Sequence, residues 1–376
     1  MEQAFQNRLS PQQQAEFRIF CQRLQWYYRA NQTSELETVR SIYLPYAPES
    51  LQHQLDSAPG QPEPAGKLDD ALSGILRKAN FIELSEHDLN QALTKTSPHG
   101  VEVSIDIDQY ETLMIWYRGL DTSSHSQRTL RSLYIKKTQI TVPIYRKLFL
   151  LVQKPQPDSV GTAGKALAPV HIKLFRDIPL SDLEMLFPDT RVKIRLFDKL
   201  KLSVTGGGGT VAGAATGLGK LSAAVDPVAI VMAIGGFAAI VWRQVSKIFS
   251  QRTKYLMNLS RRLYFYNLDN NLGAITHLAD MARGEELKEA LLAYSFLLFH
   301  QLEDAETPVD RKALDERIEK FLSRELGLQV DFDVDDGLNK LLHLTLVEDN
   351  TDKGLAACPL HEANFLLSEA WQALLP

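Results

Sequence analysis

Two stretches without an ionisable side chain constrain this chain more than any other feature. Residues 202–219 read LSVTGGGGTVAGAATGLG, and residues 227–242 read PVAIVMAIGGFAAIVW. Each must leave water, by entering a bilayer or by packing against other protein. As helices they reach about 27 Å and 24 Å, slightly less than a hydrocarbon core of roughly 30 Å. Asp226 before Pro227 is an N-cap followed by proline at the first helical position, where a missing N–H costs nothing. Gly209, Gly213 and Gly217 repeat every fourth residue, which places bare backbone on one helix face. Ala233 and Gly236 give the second run a similar small-residue face. Lys199, Lys201, Trp242, Arg243 and Lys247 flank the pair as interface anchors, and the basic flanks belong on the cytoplasmic side. The expectation is a Gly/Ala-rich transmembrane helical hairpin over 201–243, a glycine zipper, in contact with membrane lipid. The expected location is the bacterial cytoplasmic (inner) membrane, with both termini cytoplasmic. A buried Gly/Ala hairpin inside a water-soluble core and an interfacial, re-entrant hairpin are the competing structures.

The rest of the chain has the composition of a globular protein: 376 residues, 44% hydrophobic and 23% charged. Its net charge of -5 hides an asymmetry. Residues 263–376 hold 22 acids and 9 bases, whereas the remainder holds 24 acids and 32 bases. An acidic C-terminal third is a poor partner for phosphate backbones, so nucleic acid is not expected. Only Cys21 and Cys358 are present, far apart, as suits a reducing compartment. The first residues, MEQAF, lack the basic and apolar regions of a signal peptide.

Hydrophobic spacing divides the chain into regions. Residues 1–99 are helical, with Phe17, Phe20, Cys21, Leu24, Tyr27 and Tyr28 forming one stripe. A Pro/Gly-rich linker interrupts them near 56–66, and Ser85 with Asp88 marks a later helix start. Residues 100–200 alternate with period two and form a β-rich α+β domain. Within it, residues 112–117 form a strand ending at Arg118-Gly119, residues 179–187 form a short helix capped by Ser181, and 191–196 form a strand. Residues 244–376 form an acidic helical domain with a winged-helix-like order of helices, hairpin and closing helix. The fold class expected is therefore α+β, with a helical N-terminal region, β-rich middle, membrane hairpin and winged-helix-like end.

No motif supplies chemistry. A P-loop needs glycine at 214 and Ser or Thr at 221, where Ala214 and Leu221 stand. Asp331, Asp333 and Asp335 imitate the start of a calcium loop, but position six is Asp336 and position twelve is Leu342. Asp333 or Asp335 serves better as a helix cap. No catalytic residue, cofactor or metal site is expected.

The run Ile178-Pro179, then Asp182-Leu183-Glu184-Met185-Leu186-Phe187-Pro188-Asp189, then Lys193, Asp198 and the glycines, resembles the transmembrane protein 143 family. Glu289-Ala290-Leu291-Leu292-Ala293-Tyr294 resembles it too. That is a domain-of-unknown-function family of bacteria, plants and mitochondria. The resemblance implies a membrane protein with two spans and supplies no activity and no catalytic residues to carry over. The expected function is a membrane-anchored, non-enzymatic interaction or scaffold protein, with an unidentified protein partner and possible homo-oligomers. The alternative is a soluble enzyme or ligand-binding protein with a Gly-rich cleft segment.

Overall fold

The computed structural model describes residues 9–48, 65–85, 87–89, 102–104, 109–128, 137–155, 168–187, 191–193, 257, 263–303, 307–328, 330, 332–350 and 354–374. The chain divides into two units. Unit one comprises residues 1–82, 158–171 and 271–376, and unit two comprises 83–157 and 172–270.

Unit one is helical. Helix α1, Pro11–Tyr43, starts at a capping box: Gln13 N–H donates to Ser10 Oγ at 3.3 Å, and Ser10 N–H donates to Gln13 Oε1 at 3.0 Å. Its buried stripe, Phe17, Phe20, Leu24 and Tyr28, follows the helical repeat. Helix α2, Ala65–Lys78, packs against helix α3, Asn271–Glu303. Helix α3 is the centre of the unit. Phe20 stacks on its Tyr294 at 4.1 Å between centroids, and Phe17 meets its Phe299 at 6.2 Å.

Five further elements follow α3 in the chain. Helix α4, Arg311–Leu326, is capped by Asp310, which accepts from Ala313 N–H at 2.7 Å. Gly327 ends it at φ 65°. Helix α5, Val334–His343, is capped by Asp333, the first of the two aspartates offered by the sequence. Strands β8, Val347–Asn350, and β9, Gly354–Ala357, pair antiparallel, and helix α6, Leu360–Ala373, follows. Arg311 ties the three parts together, donating to Asp335 at 2.5 Å and to Asp349 at 2.7 Å.

Unit two is built on a five-stranded sheet. Its order is β1 (Ile82–Glu83), β3 (Thr112–Arg128), β4 (Lys137–Gln153), β5 (Val170–Pro179) and β7 (Asn267–Asn270). Strands β3 and β4 form a long antiparallel hairpin from Thr112↔Gln153 to Arg128↔Lys137. Alternation sends Ile115, Leu148, Leu150 and Val152 to one face, where they meet Phe175, Ile178, Leu183, Leu186 and Phe187. Strands β2, Glu102–Ser104, and β6, Arg191–Lys193, form a separate antiparallel pair.

The structure corrects several expectations. Strand β3 does not stop at Arg118-Gly119. Gly119 takes φ +71° and the pairing continues beyond it in unchanged register, Arg118↔Lys147 and Leu120↔Tyr145. The segment after Pro179 is the short helix expected, in 3₁₀ form over Leu180–Leu186, but it starts at Pro179 with no side-chain cap where Ser181 was expected to supply one. The fold is a mixed helix-and-sheet one in place of an α+β fold with a transmembrane hairpin. Among the described residues no helix is long and apolar enough to cross a membrane. Helix α3 is long enough, but Asp280, Arg283, Glu285, Glu286, Lys288 and Glu289 put six charges into ten residues. This removes structural support for the membrane and hairpin expectations. Residues 201–243, on which the expected localisation rested, lie outside the described residues.

Candidate functional site

Every membrane-packing and interface residue singled out in the sequence lies outside the described residues: Gly209, Gly213, Gly217, Ala233 and Gly236, and Lys199, Lys201, Trp242, Arg243 and Lys247. Among the described residues no group of His, Cys, Asp and Glu is placed to hold a metal ion. Unit one offers two features with chemical content: a half-buried ion cluster and an open aromatic groove.

The cluster joins four helices. Lys340 on α5 lies 2.8 Å from Asp336, 2.9 Å from Glu289 and 3.7 Å from Glu286. Asn80, just beyond α2, donates to Glu289 at 3.1 Å. Lys78 on α2 reaches both carboxylate oxygens of Glu35 on α1 at 2.8 Å. Acids outnumber cations here. Burial alone would lower the Lys340 pKa, but the bonds to Asp336 and Glu289 outweigh it and hold it above the ordinary lysine value. Burial pushes Glu286 and Glu289 up, and the shared ammonium only partly offsets it. Burial also raises the Tyr28 hydroxyl, with the charges of Glu286, Tyr27, Glu289 and Asp336 acting in the same sense. Gly337 lets α5 approach α3 at this point: a Cβ there would sit 3.0 Å from the Glu289 carbonyl oxygen. The cluster is a clasp between helices. It also occupies Lys340, the cation that a winged-helix recognition helix would offer to nucleic acid.

The groove runs between α1 and α6. Arg23, Trp26, Leu367, Ser368, Trp371 and Gln372 line a volume of about 410 Å³. That falls within the roughly 300–1,000 Å³ typical of binding clefts. Trp26 and Trp371 meet edge to face at 6.3 Å. Asn364 Nδ2 donates to the Glu16 carbonyl at 3.0 Å, and Arg23 Nη1 donates to the Asn364 carbonyl. These contacts, followed by Trp26 against Trp371, make the two helices run in the same direction along the seam. Trp26 remains 58% exposed, and Ile19, two turns earlier, 43%.

The sequence reading passed over Arg23, Trp26 and Trp371. One signal was available: Trp26 falls off the stripe of Phe17, Phe20, Leu24 and Tyr28, so a large aromatic stands on the water side of an amphipathic helix. Its partner Trp371 is 345 positions away and carries no local mark.

No solved structure matches the chain. The narrower resemblance to the transmembrane protein 143 family finds no support in the family match over residues 110–273. Residues 110–273 match the family described as "Protein of unknown function (DUF3754)", so a domain of unknown function is found there, and the α1–α6 groove lies outside it.

Proposed function

We propose that this chain is a non-enzymatic protein-interaction module and that the α1–α6 groove of unit one is its docking face. The observation that carries this reading is the exposure of Trp26 beside Trp371 over an open apolar floor. Exposed tryptophans in such settings dominate the energetics of protein contacts. Nucleic acid is the poorer partner. The first turn of α5 carries Asp335 and Asp336, and Lys340 is engaged by three carboxylates.

Photo-crosslinking tests this reading. A benzoylphenylalanine placed at position 26 of the full chain, expressed in its native host, should give discrete adducts. The same probe at Lys320, an exposed position on α4, should not. Equal labelling from both positions would remove the groove as the docking face.

A further inference from the structure

Resting on the reading of this groove as a docking face, we infer that its partner is an acidic amphipathic helix. The apolar part of the surface has helical spacing. Ile19 and Trp26 lie seven residues apart on α1, about 10.5 Å along its axis, and both are exposed. That separation matches the i and i+7 anchors of a helix laid in a groove, with Trp371 and Leu367 forming the opposite wall.

The charges beside Trp26 are arginines of α1, while Glu16 stands one turn before Ile19 at the other end of the stripe. Arg23 lies about 60° round α1 on one side of Trp26, at 100° per residue, and Arg29 lies about 60° on the other; Arg18 shares the Arg29 side, about 16 Å away along the axis. All three are exposed. Between Glu16 and Glu35 the helix contains no acid. On α6 the lining residues are Leu367, Ser368, Trp371 and Gln372, and Glu369 points about 160° away from Trp371. The groove thus has an uncharged α6 wall and, on its α1 rim, Arg23, with Arg29 and Arg18 on the other side of Trp26. Arg23 spends one N–H on the Asn364 carbonyl, which fixes its stem and leaves four donors to meet carboxylates. A partner with Leu or Trp anchors on one face and Glu or Asp beside them satisfies both parts. A basic helix would place like charges against the rim.

The test uses the full chain and two fluorescein-labelled peptides of about 16 residues, long enough to hold helical structure. One carries leucines at i, i+3, i+4 and i+7 with glutamates elsewhere. The other replaces every glutamate with lysine. Fluorescence anisotropy should show the acidic peptide binding at least about tenfold more tightly than the basic one. Trp26→Ala should weaken it by about tenfold or more. The double change Arg23→Gln with Arg29→Gln should weaken it several-fold and flatten its salt dependence. Equal binding of both peptides would overturn the acidic partner while leaving the docking face standing. Acidic-peptide binding untouched by Trp26→Ala would overturn the groove as its site. Binding of neither peptide would overturn the partner class, and the crosslinking result at position 26 then judges the docking face by itself. A concentration-dependent dimer, seen by sedimentation and lost in Trp26→Ala, would show that the occupant is a second copy and overturn the inference.

Discussion

Lys340→Met should destabilise unit one most strongly near neutral pH. Methionine keeps the length of the lysine stem, so the change removes the charge and little packing. The side chains of Glu289 and Glu286 are 9% and 12% exposed and stay largely out of water when the ammonium goes. Stripping one partner from a buried pair costs about 3–5 kcal/mol. Asp336 is 46% exposed and can turn to solvent, which places the expected loss near the lower bound, about 3 kcal/mol. In a unit of roughly 200 residues that corresponds to a fall of about 6–12 °C in Tm. The pH dependence has a definite sign. Burial raises both Glu286 and Glu289 above their unfolded values. On acidification the folded state therefore takes up these protons first, and its stability rises as pH falls toward the ordinary carboxylate range. Lys340, itself raised, stays charged throughout that window. Without the ammonium both carboxyls rise further, so the variant regains more on acidification than the parent does. Circular dichroism melts and urea titrations at about pH 7.5 and 5 should show the difference between parent and variant shrinking at the lower pH. A loss under about 1 kcal/mol at neutral pH, or one that grows on acidification, would refute the clasp.

Three other substitutions probe the packing of the same unit. Phe20→Ala empties a fully buried site stacked on Tyr294 and should cost about 3–5 kcal/mol, read as a lower urea midpoint. Gly354→Ala should cost more than Gly327→Ala, although both glycines have positive φ, +72° and +65°. A Cβ at 354 would lie 2.7 Å from the Val309 carbonyl oxygen, whereas at 327 nothing lies within 4 Å. The second change should therefore show only the backbone strain of about 1–2 kcal/mol, and equal Tm losses would contradict the close approach.

Much of the local structure was legible. The apolar spacing from Phe17 to Tyr28 marks α1, and Asp333 caps α5 through the Asp336 N–H at 3.3 Å. Ser85 and Asp88 make the expected start signal, with Asp88 N–H donating to Ser85 Oγ at 3.1 Å. Glycine was over-read as punctuation. Gly119 looked like a strand end because glycine often is one, but pairing with β4 carries the strand past it. The uncharged runs looked like membrane spans because hydropathy reports only that a segment avoids water, not what shields it.

By itself, the sequence determined which segments coil or extend and where several of them begin, since caps, turns and periodicity act over three or four residues. It also determined that residues 263–376 are acidic and poor in cations for phosphate. Only the tertiary structure decided that α1 packs on α3 and α6, from the far end of the chain. Only it decided that Lys340 is shared by Glu286, Glu289 and Asp336, and that Trp26 and Trp371 form one groove. Those pairings are chosen by burial and shape complementarity between distant surfaces, and neither leaves a periodic trace in a single chain.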